Sequence, residues 1–125
     1  MVTTTQPLVN LSRNESVAVE QFLFRIREAY GEKIGRSALF GSKARGDWSE
    51  DSDIDILLIV TDSDWKFHKA LIEMGSDVSL EYDVLLDVHI MNASHWQYLT
   101  DIQAGYYQNI THDSVPLNQA WLENR

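Results

Sequence analysis

The sequence predicts an α/β (α+β) domain, a small mixed sheet flanked by helices. Two observations lead there. Apolar residues recur at helical spacing early in the chain, and short apolar runs bounded by Gly and Asp then alternate with further helical segments. The resulting order is helix, strand, strand, helix, strand, helix, which a single layered core accommodates.

Taken in order, residues 1–11 are Thr-rich, carry Pro7 and are expected to form a flexible N-terminal tail. Residues 12–125 are expected to form one domain. Ser12 and Glu15 have the spacing of a capping box. Val19, Phe22, Leu23, Ile26 and Tyr30 then give one helical face, and Gly31 ends it. Ser37–Phe40 is short, apolar and stopped by Gly41, so it reads as a buried strand. Residues 41–52 read as a loop and residues 53–60 as the second strand. Asp62, Ser63 or Asp64 can cap a second helix through Trp65, Leu71, Ile72, Met74 and Val78, weakened in its middle by Gly75 and Ser76. Residues 82–91 read as a third strand. Asn92 or Ser94 can cap a third helix through Trp96, Tyr98, Leu99 and Ile102. Val115-Pro116-Leu117 suits a short edge strand or a loop.

Composition narrows the function. The formal net charge of −9 argues against a nucleic-acid backbone as main partner, because phosphate binding relies on clustered Lys and Arg. The absence of cysteine excludes disulfides, thiolate catalysis and Cys-ligated zinc. The longest apolar run, residues 54–60, is too short to span a bilayer, and the N-terminus lacks the pattern of a signal peptide. A cytoplasmic protein with no membrane contact is expected. No Walker loop and no G-x-G-x-x-G is present, so kinase, P-loop and Rossmann readings fall away.

The chemistry concentrates in GSKARGDWSEDSDIDILLIV, residues 41–60. Strand side chains alternate, so Asp53, Asp55 and Leu57 share one face and Ile54, Ile56 and Leu58 the other. Two neighbouring carboxylates repel unless one is protonated or a cation intervenes. An all-oxygen set favours a hard divalent ion such as magnesium, which completes its shell with water and substrate phosphates. Gly41 allows close backbone approach to a ligand. Ser42 offers donors to a phosphate oxygen, with Lys43 and Arg45 within reach and Gly46 permitting a second bend. A D-x-D pair alone is a weak signal. Gly-Ser, then residues 43–52, then Asp-x-Asp, all between two strands, is much harder to obtain by accident.

Gly41-Ser42-Lys43-Ala44-Arg45-Gly46 followed by Ser52-Asp53-Ile54-Asp55-Ile56-Leu57 resembles the signature of the DNA-polymerase-β-like nucleotidyltransferase superfamily. The small size and the G-S-x-A-R-G loop resemble its minimal nucleotidyltransferase branch, whose members are typically encoded beside a HEPN-domain partner and act as antitoxins. The resemblance implies transfer of AMP from ATP to a tyrosine hydroxyl of a HEPN toxin. Gly41 and Ser42 would grip the triphosphate, and Asp53 and Asp55 would bind magnesium. A third acid on the next strand would complete the metal and catalytic set. Asp83 and Asp87 have the same parity there, and Asp87 is preferred as an aspartate set mid-strand among apolar residues. Two alternatives remain: an antitoxin that neutralises its partner by stoichiometric binding alone, and a small-molecule, aminoglycoside-type nucleotidyltransferase.

Other residues read less sharply. His68, His89, His95 and His112 lack metal-ligand spacing, and His89, on the Asp87 face, is expected to be a satisfied sheet histidine. Trp48 suits either base stacking or loop packing. Trp65, Trp96 and Trp121 are expected as core or edge aromatics, and Tyr106-Tyr107 as helix packing. Asp47, Glu50 and Asp51 read as a solvated acidic loop.

Overall fold

A computed structural model describes residues 10–46 and 53–123. The expected tail up to residue 9, together with Asp47, Trp48, Glu50, Asp51 and Ser52, lies outside the described residues. Leu11 is part of the fold, since it packs on the main core.

Helix α1 spans Arg13–Tyr30, and the capping box is complete. The Ser12 hydroxyl accepts from Glu15 N at 3.1 Å, and Glu15 Oε1 accepts from Ser12 N at 2.9 Å. Gly31 closes the helix at φ 53°. After a turn at Gly31–Lys33, β1 runs Ile34–Phe40, three residues longer at its start than expected. Gly41 is followed at once by a short helix, α2, Ser42–Arg45, where a loop was expected.

Strand β2 covers Ile54–Val60. Helix α3 covers Trp65–Tyr82, with Asp64 as the capping residue accepting from Lys66 N at 3.0 Å. Gly75 does not weaken α3 so much as seat it. A Cβ there would come within 2.7 Å of Val88 Cγ2, so the missing side chain lets the helix lie close on the next strand.

That strand, β3, is Leu86–Asn92, four residues shorter at its start than expected. Tyr82 still belongs to α3, and Asp83 is its left-handed C-cap at φ 56°. Ser79 fixes the boundary: its backbone carbonyl accepts from Asp83 N and Val84 N, and its hydroxyl accepts from Leu86 N at 3.0 Å. The Asn14 side chain also donates to the Tyr82 carbonyl, tying α1 to this corner.

Helix α4, Ala93–Asp101, follows with Asn92 at its cap position, and α5 spans Gly105–Asp113. Strand β4 is the two-residue edge piece Val115–Pro116, and α6 spans Gln119–Glu123. Helix α6 was not anticipated, and α5 only through the helix packing expected of Tyr106-Tyr107; Tyr107 does pack against Trp96, whereas Tyr106 is exposed.

The sheet order is β3-β2-β1-β4, with β2–β3 parallel and the other pairs antiparallel. One face carries Ile54, Ile56, Leu58 and Val60 against α1 and α3, through Ala18, Val19, Phe22, Ile26, Phe67, Leu71 and Val78. The other carries Ala38, Leu57 and Ile59 against Trp96, Ile110 and Trp121. Trp96 and Trp121 are thus core residues, whereas Trp65 is 65% exposed and belongs to no core. No helix among the described residues is long and apolar enough to cross a membrane.

Candidate functional site

Strand pairing assembles the site. Phe40 at the end of β1 stands opposite Asp55 in β2, and Asp55 stands opposite Asp87 in β3. His89, two residues on from Asp87 and opposite Leu57, shares their face. The helices α4 and α6 cover Leu57 and Ile59, further along β2. The start of β2 and β3 on this face is therefore where polar side chains collect.

Asp55, Asp87 and His89 each offer one ligand atom, and these atoms lie within 4.8 Å of one another. His89 Nε2 is 3.4 Å from Asp55 Oδ1 and 3.1 Å from Asp87 Oδ2. Neither contact has the alignment of a hydrogen bond, so this buried nitrogen has no hydrogen-bond partner among the described residues. The imidazole also stands edge-on to Phe40, with ring centroids 4.9 Å apart. It is not the satisfied sheet histidine that the sequence suggested. Its parity with Asp87 was the available clue, but the neighbour across the strand was not legible.

Burial pushes the Asp55 carboxyl above the usual carboxylate range; the nearby His89 nitrogen opposes this and the Asp87 charge adds to it. Two carboxylates and an imidazole nitrogen facing one small space form a donor set that fits a divalent cation.

The glycine turn sits directly on this group. Gly41 has φ 77°, a conformation L-residues rarely adopt. A Cβ on it would overlap Asp55 Oδ2 and lie 3.0 Å from its Cγ. The Gly41 carbonyl accepts from Ala44 N and Arg45 N, both at 3.1 Å, which starts α2. The leading N–H groups of such a turn make no intrahelical bond.

The remaining expected residues fall in four places. Asp53 is exposed immediately before β2 and stands outside the three-residue group. Asp83, the less favoured third acid, is an exposed helix cap, while Asp87 adjoins Asp55. Asp87 is not mid-strand as expected: it is the second residue of β3 and 48% exposed, so burial does not demand a cation there. Lys43 departs from its expected role. It is 1% exposed, and its Nζ lies 3.0 and 3.2 Å from the Glu15 carboxylate oxygens of α1, turned into the fold rather than toward a phosphate. Arg45 is exposed at the end of α2. A surface groove of about 470 Å³ between α1 and α6, lined by Leu23, Phe24, Arg27 and Leu117, contains none of these residues.

A glycine turn set on a carboxylate group able to hold a divalent cation is equipment for phosphoryl transfer. The chain belongs to the nucleotidyltransferase domain family, whose model matches residues 19–111. Two relatives from Methanocaldococcus jannaschii are each named "Putative protein adenylyltransferase". One is 39% identical over 74 residues, covering 59% of this chain and 70% of its own length. The other is 38% identical over 69 residues, covering 54% of this chain and 70% of its own. A solved structure described as a putative nucleotidyltransferase from Sulfolobus solfataricus shares the fold, with a TM-score of 0.51 and 18% identity over 80% of this chain and 76% of that one.

Proposed function

We propose that this nucleotidyltransferase is a protein adenylyltransferase, moving AMP from ATP to a tyrosine hydroxyl of a HEPN-domain toxin and so acting as the antitoxin of the pair. One observation supports the reading: strand register brings Gly41 onto Asp55 and Asp55 beside Asp87 at one sheet end, as a triphosphate grip next to a cation site would require. The name carried by the two archaeal relatives favours a protein as acceptor.

In this reading the Gly41–Ser42 turn holds the triphosphate through backbone N–H groups. Asp55 and Asp87 would hold a divalent cation such as magnesium, with Asp53 at the exposed approach. The cation, when bound, neutralises phosphate charge and lowers the pKa of the attacking hydroxyl. The half-exposed Asp87 carboxylate is open to the incoming tyrosine and takes its proton. The new bond joins the tyrosine oxygen to the α-phosphorus, and the bond to pyrophosphate breaks. Most of the acceleration is positioning and charge neutralisation.

Intact-mass spectrometry tests this. The HEPN partner is incubated with this protein, ATP and magnesium, beside a double Asp53→Asn, Asp55→Asn variant. A gain of one or more AMP masses on the partner, absent with the variant, is expected. Tight binding and equal neutralisation by the variant, with no mass gain, would replace this reading with a stoichiometric antitoxin.

A further inference from the structure

We infer that His89 is itself a metal ligand, which makes the cation site selective for a divalent transition metal over magnesium. The inference deepens the proposed transferase reading and rests on the cation site that reading uses. Its basis is the position of one atom. His89 Nε2 lies 3.1 Å from an Asp87 oxygen and 3.4 Å from an Asp55 oxygen, and both are near enough for attraction. Yet it is aligned as a donor to neither, and it is buried. A histidine serving only as counter-ion to two carboxylates would turn its N–H onto one of them. A nitrogen held between two oxygens, facing the same space, has the arrangement of a third donor.

The ring stands edge-on to Phe40, and its strand is held in register with β2 through Asp55–Asp87 and Leu57–His89, which fixes the backbone that carries it. Asp87 and His89 lie two residues apart on one strand face, and Asp55 comes from the neighbouring strand. Three ligands from two rigid strands are set before any ion arrives. Donor chemistry then decides the ion: carboxylates alone suit magnesium, calcium or manganese, whereas an added imidazole favours borderline metals such as iron, nickel or zinc; manganese gains least from it and serves as the paramagnetic probe of the nitrogen.

The test uses the full chain, without nucleotide or partner, and manganese as probe. Pulsed electron paramagnetic resonance of bound Mn²⁺ is recorded for the wild type, His89→Asn and His89→Asp, with Mn²⁺ and Mg²⁺ affinities by calorimetry. The expected result is coupling to a directly bound imidazole nitrogen in the wild type and in neither variant. Mn²⁺ affinity should fall about tenfold or more in H89N, while Mg²⁺ affinity changes less than about threefold. His89→Asp, which restores an all-oxygen set, should bind Mn²⁺ without nitrogen coupling and at a lower Mn²⁺ to Mg²⁺ preference. Circular dichroism confirms that each variant is folded. Wild-type Mn²⁺ binding without nitrogen coupling, no Mn²⁺ binding at all, or equal loss of both metals in H89N would overturn the inference. Because no transfer reaction is involved, failure of the AMP-transfer reading would leave a nitrogen signal intact, and loss of that signal would leave AMP transfer standing.

Discussion

Gly41 is in van der Waals contact with Asp55: a side chain at position 41 would overlap the Asp55 carboxylate and lie 3.3 Å from its Cβ. The turn that opens α2 and the acid that opens β2 are therefore packed as one unit. A substitution at 41 must move Asp55, the turn, or both.

Gly41→Ala should accordingly do two separable kinds of harm. The left-handed φ alone costs about 1 to 2 kcal/mol of stability. Displacing Asp55 should cut transfer activity by about a hundredfold or more, since small misplacements of a reacting group carry penalties of that size. Gly46→Ala is the control. It has a similar φ of 89°, but its nearest neighbour would be Asn10 Nδ2 at 3.5 Å. G46A should lose comparable stability in urea unfolding while keeping most of its activity at saturating temperature-stable conditions; equal activity loss in both would detach Gly41 from the site.

The Asp55 carboxyl makes a second prediction, in pH. Burial raises its pKa in the folded protein. Below the unfolded pKa both states hold the proton, and Asp55 contributes nothing. As pH rises toward the folded pKa the unfolded state loses its proton first, so stability falls, and the deficit persists above. In metal-free protein with chelator, Asp55→Asn should therefore melt higher than wild type near neutrality, and the gap should close on acidification. Asp62 should show the reverse sign. The Asp64 N–H bond and Lys33 hold its pKa below the usual range. Its stabilisation is present above the unfolded pKa and lost as pH falls through the folded one, so Asp62→Asn should melt lower near neutrality. Thermal melts from about pH 3 to about pH 7 check both. An Asp55→Asn variant that melts lower than wild type near neutrality would mean that its carboxylate is favoured, not penalised, by the fold.

These effects show where sequence reading succeeds. Alternation along residues 54–60 sorted β2 correctly: Ile54, Ile56 and Leu58 face one core and Leu57 the other. The Ser12–Glu15 box fixed the start of α1 because capping is local chemistry. The failures are tertiary. Residues 82–85 alternate like a strand, yet the spacing of Phe67, Leu71, Gly75 and Val78 carries α3 on to Tyr82, where Asp83 takes a left-handed turn. Helix α5 buries only Ile110, so no apolar stripe announced it. β1 was cut short because Gly35 and Arg36 interrupt its apolar run. His89 was undervalued because its partners come from parallel pairing with β2, and one strand's pattern does not reveal which residue lies beside it.

Lys43 carries the last prediction, because the Gly41 turn is braced from behind. Its ammonium is buried, and both Glu15 oxygens lie within 3.2 Å. Glu15 also closes the capping box of α1. One carboxylate thus joins the start of the longest N-terminal element to the turn that follows Gly41. Glu15→Ala should cost about 3 kcal/mol in urea unfolding, since it takes the carboxylate from a buried cation and the reciprocal half of the capping box, the bond to Ser12 N, from the helix. Lys43→Met leaves the mostly buried Glu15 carboxylate without its cation, so it too should cost stability, about 2 kcal/mol, less than Glu15→Ala because Glu15 still accepts from Ser12 N. That cost separates this brace from a phosphate contact. If Lys43 gripped the triphosphate, K43M would raise the KM for ATP by about tenfold or more while sparing stability. The brace predicts an ATP KM near that of wild type, and the double variant Glu15→Gln, Lys43→Met should recover much of the stability lost by Glu15→Ala.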